Sequence, residues 1–269
     1  MPATDTVFAG SIAAIYDRVL VPLKFAPWAA DLARRIAVLA PAAILETAAG
    51  TGVVTEQIAR MLPGAAITAT DLNPAMLEIA ANRPGLERIK FRPADAQALP
   101  FADASFDLVA CQFGVMFYPD RVAAAREARR VLRRDGVYLF NVWNSLDHNP
   151  VTRLLSDAVG QLFPGNPPSF YARVPFGYYD TARIAADLSA AGFSDIAIDT
   201  REYRHGALTA REAAEGLCRG SPYAAEMAAH GNEALERAIE AGTRALRPLC
   251  GADGRIDAAM SAHVVIARA

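Results

Sequence analysis

The chain predicts an α/β fold built on a mostly parallel sheet with helices on both faces. Between residues 43 and 143, short apolar runs of strand length alternate with helical apolar stripes, a pattern that calls for right-handed crossovers. Several of the runs end at an acidic residue or lead into a glycine turn, as strands of an open parallel sheet do. The 269 residues are 53% hydrophobic, enough for a large core.

Residues before Pro41 read as two helices separated by Pro22 and Pro27. Ile12, Ile15 and Val19 share one face of the first, and Trp28, Leu32, Ile36 and Leu39 one face of the second. Ile44-Leu45-Glu46 is the first strand. The turn Thr47-Ala48-Ala49-Gly50-Thr51-Gly52 then enters a helix with Val54, Ile58 and Met61 on one stripe. A second strand over 66–70 ends at Asp71; Asn73 caps the next helix, Pro74 takes its first position and Pro84-Gly85 stops it. Strands follow over 89–91 and 106–111, the first leading to Asp95 and the second to Gln112 and Phe113. Asp120 caps a helix lined by Val122, Ala125, Ala128 and Leu132, and Asp135-Gly136 turns the chain into a fifth strand over 137–142.

Beyond Trp143 the pattern changes. Residues 149–177 are rich in proline, glycine and aromatics and read as a partly helical lid over the carboxyl edge of the sheet. A helix over 181–191, a strand over 196–203, alanine-rich helices over 209–249 and a last strand over 263–267 complete the chain. The last two strands are expected to pair antiparallel at one edge. The expected organisation is a single domain: an N-terminal helical lid (1–40), a binding core (41–144), and a lid and acceptor region that also completes the sheet (145–269).

Lys+Arg 27 against Asp+Glu 29 leaves a net charge of −2, which gives no overall attraction for nucleic acid. Arg126, Arg129, Arg130, Arg133 and Arg134 read as the solvated face of one helix. Cys111, Cys218 and Cys250 are odd in number and far apart, which fits a reducing, cytoplasmic setting. No apolar segment reaches membrane-spanning length and no secretory leader is apparent. The apolar face over 12–25 suits packing better than membrane contact. The four histidines lack metal-binding spacing, so no protein-bound metal is expected. The oligomeric state is open, a homodimer being one compatible arrangement.

Glycines at a strand-to-helix turn let a ligand approach the main chain, and the amides opening the next helix point toward it. Glu46, Asp71, Asp95 and Gln112 end consecutive strand patterns and should gather at the carboxyl edge of the sheet. An acid at the position of Asp71 can accept both ribose hydroxyls of a nucleoside. Each of these residues is also compatible with turn formation or capping alone.

The series Glu46-x-Ala48-x-Gly50-x-Gly52, Asp71-Leu72-Asn73-Pro74-Ala75-Met76-Leu77, 94–101 (ADAQALPF) and Ser105-Phe106-Asp107 resembles the class I S-adenosylmethionine-dependent methyltransferases. Within them it is similar to the small-molecule branch of ubiquinone and menaquinone biosynthesis enzymes. The resemblance covers residues 41–143 closely. It implies a Rossmann-like seven-stranded sheet, mostly parallel with an antiparallel edge strand, and S-adenosylmethionine as cofactor. It further implies that Gly50, Thr51 and Gly52 approach the cofactor, that Glu46 orders its amino group and that Asp71 holds the ribose. Asp95 and the Ala96 amide would meet the adenine edge, Leu72 and Met76 would pack on its ring, and Gln112 and Phe113 would line the space near the sulfonium. Tyr16 resembles a tyrosine that folds over the pocket in related enzymes. Ala48 departs from the family, which has glycine there, so a shifted cofactor pose is expected.

The implied reaction is methyl transfer to a small-molecule acceptor. His148 is the candidate general base, should the acceptor carry a proton that must leave. Tyr118, Trp143, Tyr171, Arg173 and Tyr178 are candidates for the acceptor pocket, Arg173 toward a carboxylate. Two other readings stay open. One is a cofactor-binding protein without turnover; the other is a nicotinamide-dependent oxidoreductase, for which Thr55 stands where G-x-G-x-x-G needs its last glycine.

Overall fold

Helix runs without a break from Ser11 to Leu39 in the computed structural model, which describes residues 3–6, 8, 11–206 and 208–269. It comprises α1 (Ser11–Ile15), a π-helical stretch (Tyr16–Phe25) and α2 (Ala26–Leu39). The break expected at Pro22 and Pro27 therefore does not occur. In the wider π turns the Ala26 amide reaches back to the Val21 carbonyl, so the hydrogen bond that Pro22 cannot make is absorbed without ending the helix. Pro27 falls in the first turn of α2, where proline is tolerated.

Seven strands form one sheet: β1 (Ala43–Glu46), β2 (Ala66–Asp71), β3 (Lys90–Pro93), β4 (Phe106–Gln112), β5 (Leu132–Trp143), β6 (Asp195–Arg204) and β7 (Ala259–Arg268). Their order is β3-β2-β1-β4-β5-β7-β6. The first five are parallel, with Glu46 opposite Ala69 on one side and Ala110 on the other, Asp71 opposite Pro93, and Gln112 opposite Asn141. β7 is antiparallel to β5, with Tyr138 opposite Ala267, and lies between β5 and β6. Burial explains this order: β7 and the second half of β5 are almost wholly buried, whereas β6 is half exposed and takes the outer position. β5 begins earlier than expected. Its register shifts against β4 near Phe106, and Asp135 (φ +63°) and Gly136 carry the irregularity.

The chain divides into two compact units. One comprises Pro27–Trp143, Tyr178–Arg201 and Ala262–Ala269, and holds most of the sheet with α2, α3 (Val53–Met61), α4 (Pro74–Ala81), α5 (Arg121–Val131) and α8 (Thr181–Ala190). Asp120 caps α5 by accepting from the Ala123 amide, as the sequence predicts. Several of the arginines expected on one helix face are tied to the protein: on α5, Arg130 bonds Glu127, Asp103 and the Leu99 and Phe101 carbonyls and Arg126 reaches the Ala190 carbonyl, while Arg133, already in β5, pairs with Asp107.

The other unit comprises Met1–Ala26, Asn144–Gly177 and Glu202–Ser261. Its helices are α1, the π-helical stretch, α6 (Pro150–Gly160), α7 (Phe170–Arg173), α9 (Ala210–Arg219), α10 (Tyr223–Ala228) and α11 (Ala234–Leu246). Thr209 and Glu212 close a capping box on α9, and Gly216 admits Val19 where a side chain would clash. Among the described residues no helix is long and apolar enough to cross a membrane.

Candidate functional site

The turn from β1 into α3 places three residues in left-handed conformation, Ala48 (φ +52°), Gly50 (φ +56°) and Gly52 (φ +83°). The two glycines are needed for different reasons. A Cβ on Gly52 would stand 2.9 Å from that of Ala80, so this glycine lets α3 pack closely on α4. Among the described residues no atom beyond its chain neighbours lies within 4 Å of the Cβ position of Gly50, so its main chain faces open space. The methyl of Ala48 abuts Gly114, just beyond β4.

Asp71 joins this turn to the end of β2. Its Oδ2 accepts from the Gly50 amide at 2.8 Å and its Oδ1 from the Asn73 amide at 2.8 Å. Burial raises its pKa, and the bonds from Asn73 and Gly50 oppose the rise. Glu46 is 1% exposed and accepts from the Thr55 hydroxyl at 2.6 Å. Burial pushes its carboxyl to about 8, against the Thr55 bond and assisted by the nearby charge of Asp71. Glu46 is therefore mostly protonated at neutral pH. Next to Gly50, the Thr51 hydroxyl is buried with no hydrogen-bond partner among the described residues.

Asp95 lies beyond β3 and is exposed; its Oδ1 accepts from the Gln97 amide at 2.9 Å, an Asx turn. Gln97 in turn accepts from the Asp120 amide, linking two loops. Ala96 is half-buried. Leu72 is one of the few large apolar side chains left exposed, at 55%, whereas Met76 is buried with Leu77 and Ala80 on α4. Gln112 is half-buried at the tip of β4. Phe113 after it is held at φ +52°, unusual for an aromatic, by its amide donating to the main-chain and side-chain oxygens of Asn141 at 3.1 and 3.0 Å. Its ring stacks on Trp143 at 3.8 Å, and Trp28 meets both rings edge-on.

The carboxyl ends of β3, β2, β1 and β4 are neighbours in the sheet, so Asp95, Asp71, Glu46 and Gln112 fall in one row. Tyr118 donates to Thr47 and contacts Cys111 Sγ, each at 3.3 Å. Tyr178 donates to Asp187 at 2.9 Å beneath the Arg121 guanidinium.

Other candidates lie in the second unit. Tyr16 stacks on Phe25 at 5.0 Å and meets Phe8 edge-on. His148 is exposed, and its Nδ1 is 2.9 Å from the Ser145 hydroxyl. Tyr171 is buried and donates to the Leu217 carbonyl at 2.6 Å. Arg173 is committed to Asp5 and Glu226, a pairing that takes up the guanidinium expected to meet an acceptor carboxylate.

Thr55 as a partner for Glu46, Gly114 as the complement of Ala48, and Asn141 are not singled out in these roles by the sequence. Only Asn141 carries a visible signal: it is the one polar side chain in the apolar run 137–142 other than the hydroxyl of Tyr138. Among the described residues no group of acidic, histidine and cysteine side chains has the makings of a metal site.

Residues 45–140 match the family model described as a methyltransferase domain. A demethylmenaquinone methyltransferase of Thermotoga maritima is 38% identical over 128 residues, 46% of this chain and 55% of that protein. A ubiquinone/menaquinone biosynthesis C-methyltransferase of Hahella chejuensis is 39% identical over 104 residues, 37% of this chain and 42% of that protein. The chain thus spans about half the length of these curated relatives. A solved Bacillus halodurans protein, studied as a candidate methyltransferase, shares the fold with a TM-score of 0.54 at 16% identity, over 88% of this chain and 98% of that one.

Proposed function

We propose that the chain is a class I, S-adenosylmethionine-dependent methyltransferase that transfers a methyl group to a small-molecule acceptor by in-line displacement. The observation that carries this reading is the Asp71 carboxylate fastened to the Gly50 amide beside an open main-chain face. Such an arrangement fits an adenosyl ligand: a carboxylate with lone pairs left for ribose hydroxyls, a turn without a side chain in the way, and an orphaned Thr51 hydroxyl beside it.

In this reading Glu46 orders the cofactor's amino group. Leu72, whose exposure otherwise has no packing purpose, covers the adenine with Met76 behind it; Asp95 and the Ala96 amide take its polar edge. Gln112 and Phe113 line the space toward the transferred methyl. The bound cofactor supplies an already activated methyl on a sulfonium. What this chain must do is hold the acceptor in line and exclude water, and positioning of this kind lowers a barrier by about 7–11 kcal/mol. His148 takes up a proton where the acceptor must lose one, its ring oriented by Ser145.

The relatives' names support an acceptor of the quinone class. The free cysteines Cys111, Cys218 and Cys250 support a reducing, cytoplasmic location. The test is calorimetric titration with S-adenosylhomocysteine, followed by transfer of labelled methyl to a panel of reduced quinones. Binding with transfer supports the proposal; binding without transfer favours a non-catalytic cofactor protein, and failure to bind overturns it.

A further inference from the structure

A cleft opens at the amino ends of β2 and β3, where α3 runs out into the 62–65 loop. Its volume is about 200 Å³; Ala59, Leu62, Ile67 and Ile89 give it an apolar floor, and Arg88 and Lys90 a cationic rim. All of these residues belong to the unit that holds most of the sheet. Ligands of open parallel sheets gather at the carboxyl edge, where Asp71 stands. At about 3.3 Å per residue, the length of β2 sets this cleft roughly 16 Å away, at the opposite edge.

Main-chain bonds fix the walls. The Leu62 amide closes α3 on the Ile58 carbonyl at 2.8 Å, the Ala65 amide turns the loop on the Leu62 carbonyl at 3.0 Å, and the Ile89 amide donates to the Leu86 carbonyl at 2.9 Å. Arg88 donates to the Pro63 carbonyl at 3.0 Å, which holds its guanidinium across the loop and leaves it further N–H groups. Lys90 stands opposite Thr68 in the β2–β3 ladder, and side chains alternate along a strand, so Ala66, Thr68 and Lys90 share one face. Lys90 is exposed and makes no hydrogen bond or ion pair among the described residues. Among those residues no acid lines the cleft; Glu87, beside Arg88 in the chain, lies outside the lining and accepts from the Gly85 amide at 3.0 Å.

We propose that this cleft is a small-molecule site, separate from the row of acidic strand ends, that takes a carboxylate carried on a short chain or a single ring. The assignment is independent of the methyltransferase reading. Its volume is below the roughly 300–1,000 Å³ of a drug-sized ligand's pocket, which limits the body of the ligand to that size. The floor decides against a bare inorganic anion, which would leave the apolar side chains wetted. The rim decides the head group. Arg88 offers a planar fork that suits a carboxylate and Lys90 adds a point charge, whereas a cationic head would find no acid to meet it.

The test titrates sodium octanoate into the full chain by calorimetry, with 1-octanol as the uncharged probe of equal chain length. Both titrations are repeated with S-adenosylhomocysteine present. Octanoate should bind saturably, one per chain, at least about threefold more tightly than octanol, and less tightly as salt is raised. S-Adenosylhomocysteine should leave that affinity unchanged. Lys90→Gln, at an exposed position, should weaken octanoate about two- to fivefold and leave octanol unchanged. Ala65→Leu, which fills the cleft, should weaken both probes. Lack of saturation, equal affinity for the alcohol, displacement by S-adenosylhomocysteine, or full octanoate affinity in either folded variant overturns the assignment. So does a dimer in light scattering that Lys90→Gln breaks, since a second copy would then cover the cleft. If Ala65→Leu does not fold, Lys90→Gln decides. Failure of S-adenosylhomocysteine itself to bind overturns the methyltransferase reading alone, and the two variants still decide this one.

Discussion

The methyl group of Ala48 occupies the space that a side chain on Gly114 would need. Where the resemblance noted in the sequence leads one to expect glycine, this chain has alanine in a left-handed conformation that costs about 1–2 kcal/mol, and a glycine across the gap makes room for it. The extra methyl, expected from the sequence to shift the cofactor, is directed at the loop after β4. Gly114→Ala should destabilise by about 1–3 kcal/mol through overpacking, since its Cβ would also stand 2.7 Å from Cys111 Sγ. Ala48→Gly should be neutral or mildly stabilising, and the double variant should recover part of the loss. Urea denaturation of the four proteins measures the coupling; strictly additive effects would show that the two residues are independent.

Asp71→Ala should weaken S-adenosylhomocysteine binding at least about tenfold, because hydrogen bonds to a charged acceptor contribute about 1.5–3 kcal/mol each. It also releases the Gly50 and Asn73 amides, so the turn itself should loosen. Calorimetry on the folded variant checks this, and unchanged affinity would remove Asp71 from the binding role.

Glu46 should release a proton when the cofactor binds. Its carboxyl sits at about 8, so near pH 7 it is mostly protonated; a ligand ammonium beside it lowers that pKa and drives ionisation. Titrations in buffers of different ionisation enthalpy should show release of up to about one proton near pH 7, fading above pH 8. Without ligand the sign is also defined. A raised acid favours the folded state below the unfolded value of 4.5, and that stability is lost as pH rises toward about 8. Proton uptake on binding, or none, would contradict this.

Arg173→Met should cost about 1–3 kcal/mol of stability by leaving Asp5, 3% exposed, without its guanidinium. Acceptor KM should stay unchanged in the folded fraction. A selective rise in KM for an anionic acceptor would restore the guanidinium to substrate recognition.

The turn and the acidic strand ends were legible because their signals are local: glycines after an apolar run, and Asp71 beside Asn73-Pro74. Pro22 misled because a proline normally ends a helix, and nothing nearby in sequence announces the π turns that accommodate it. The insertion of β7 between β5 and β6 is a pairing across more than a hundred residues, decided by which strands are buried on both faces. Arg173 is similar, since its partner Asp5 stands 168 positions away. A lysine at the end of a helical stretch reads as solvated, and only tertiary packing shows Lys24 to be enclosed.

The position of β7 also constrains biosynthesis. While the chain emerges from the ribosome, β1 to β5 can associate in order, but β5 must wait with one margin uncovered until residues 259–268 have been made. Through that interval an unprotected strand, rich in Val, Leu and Phe, is open to mispairing with other nascent copies. Truncations removing β7 should therefore yield aggregates in place of a smaller soluble core.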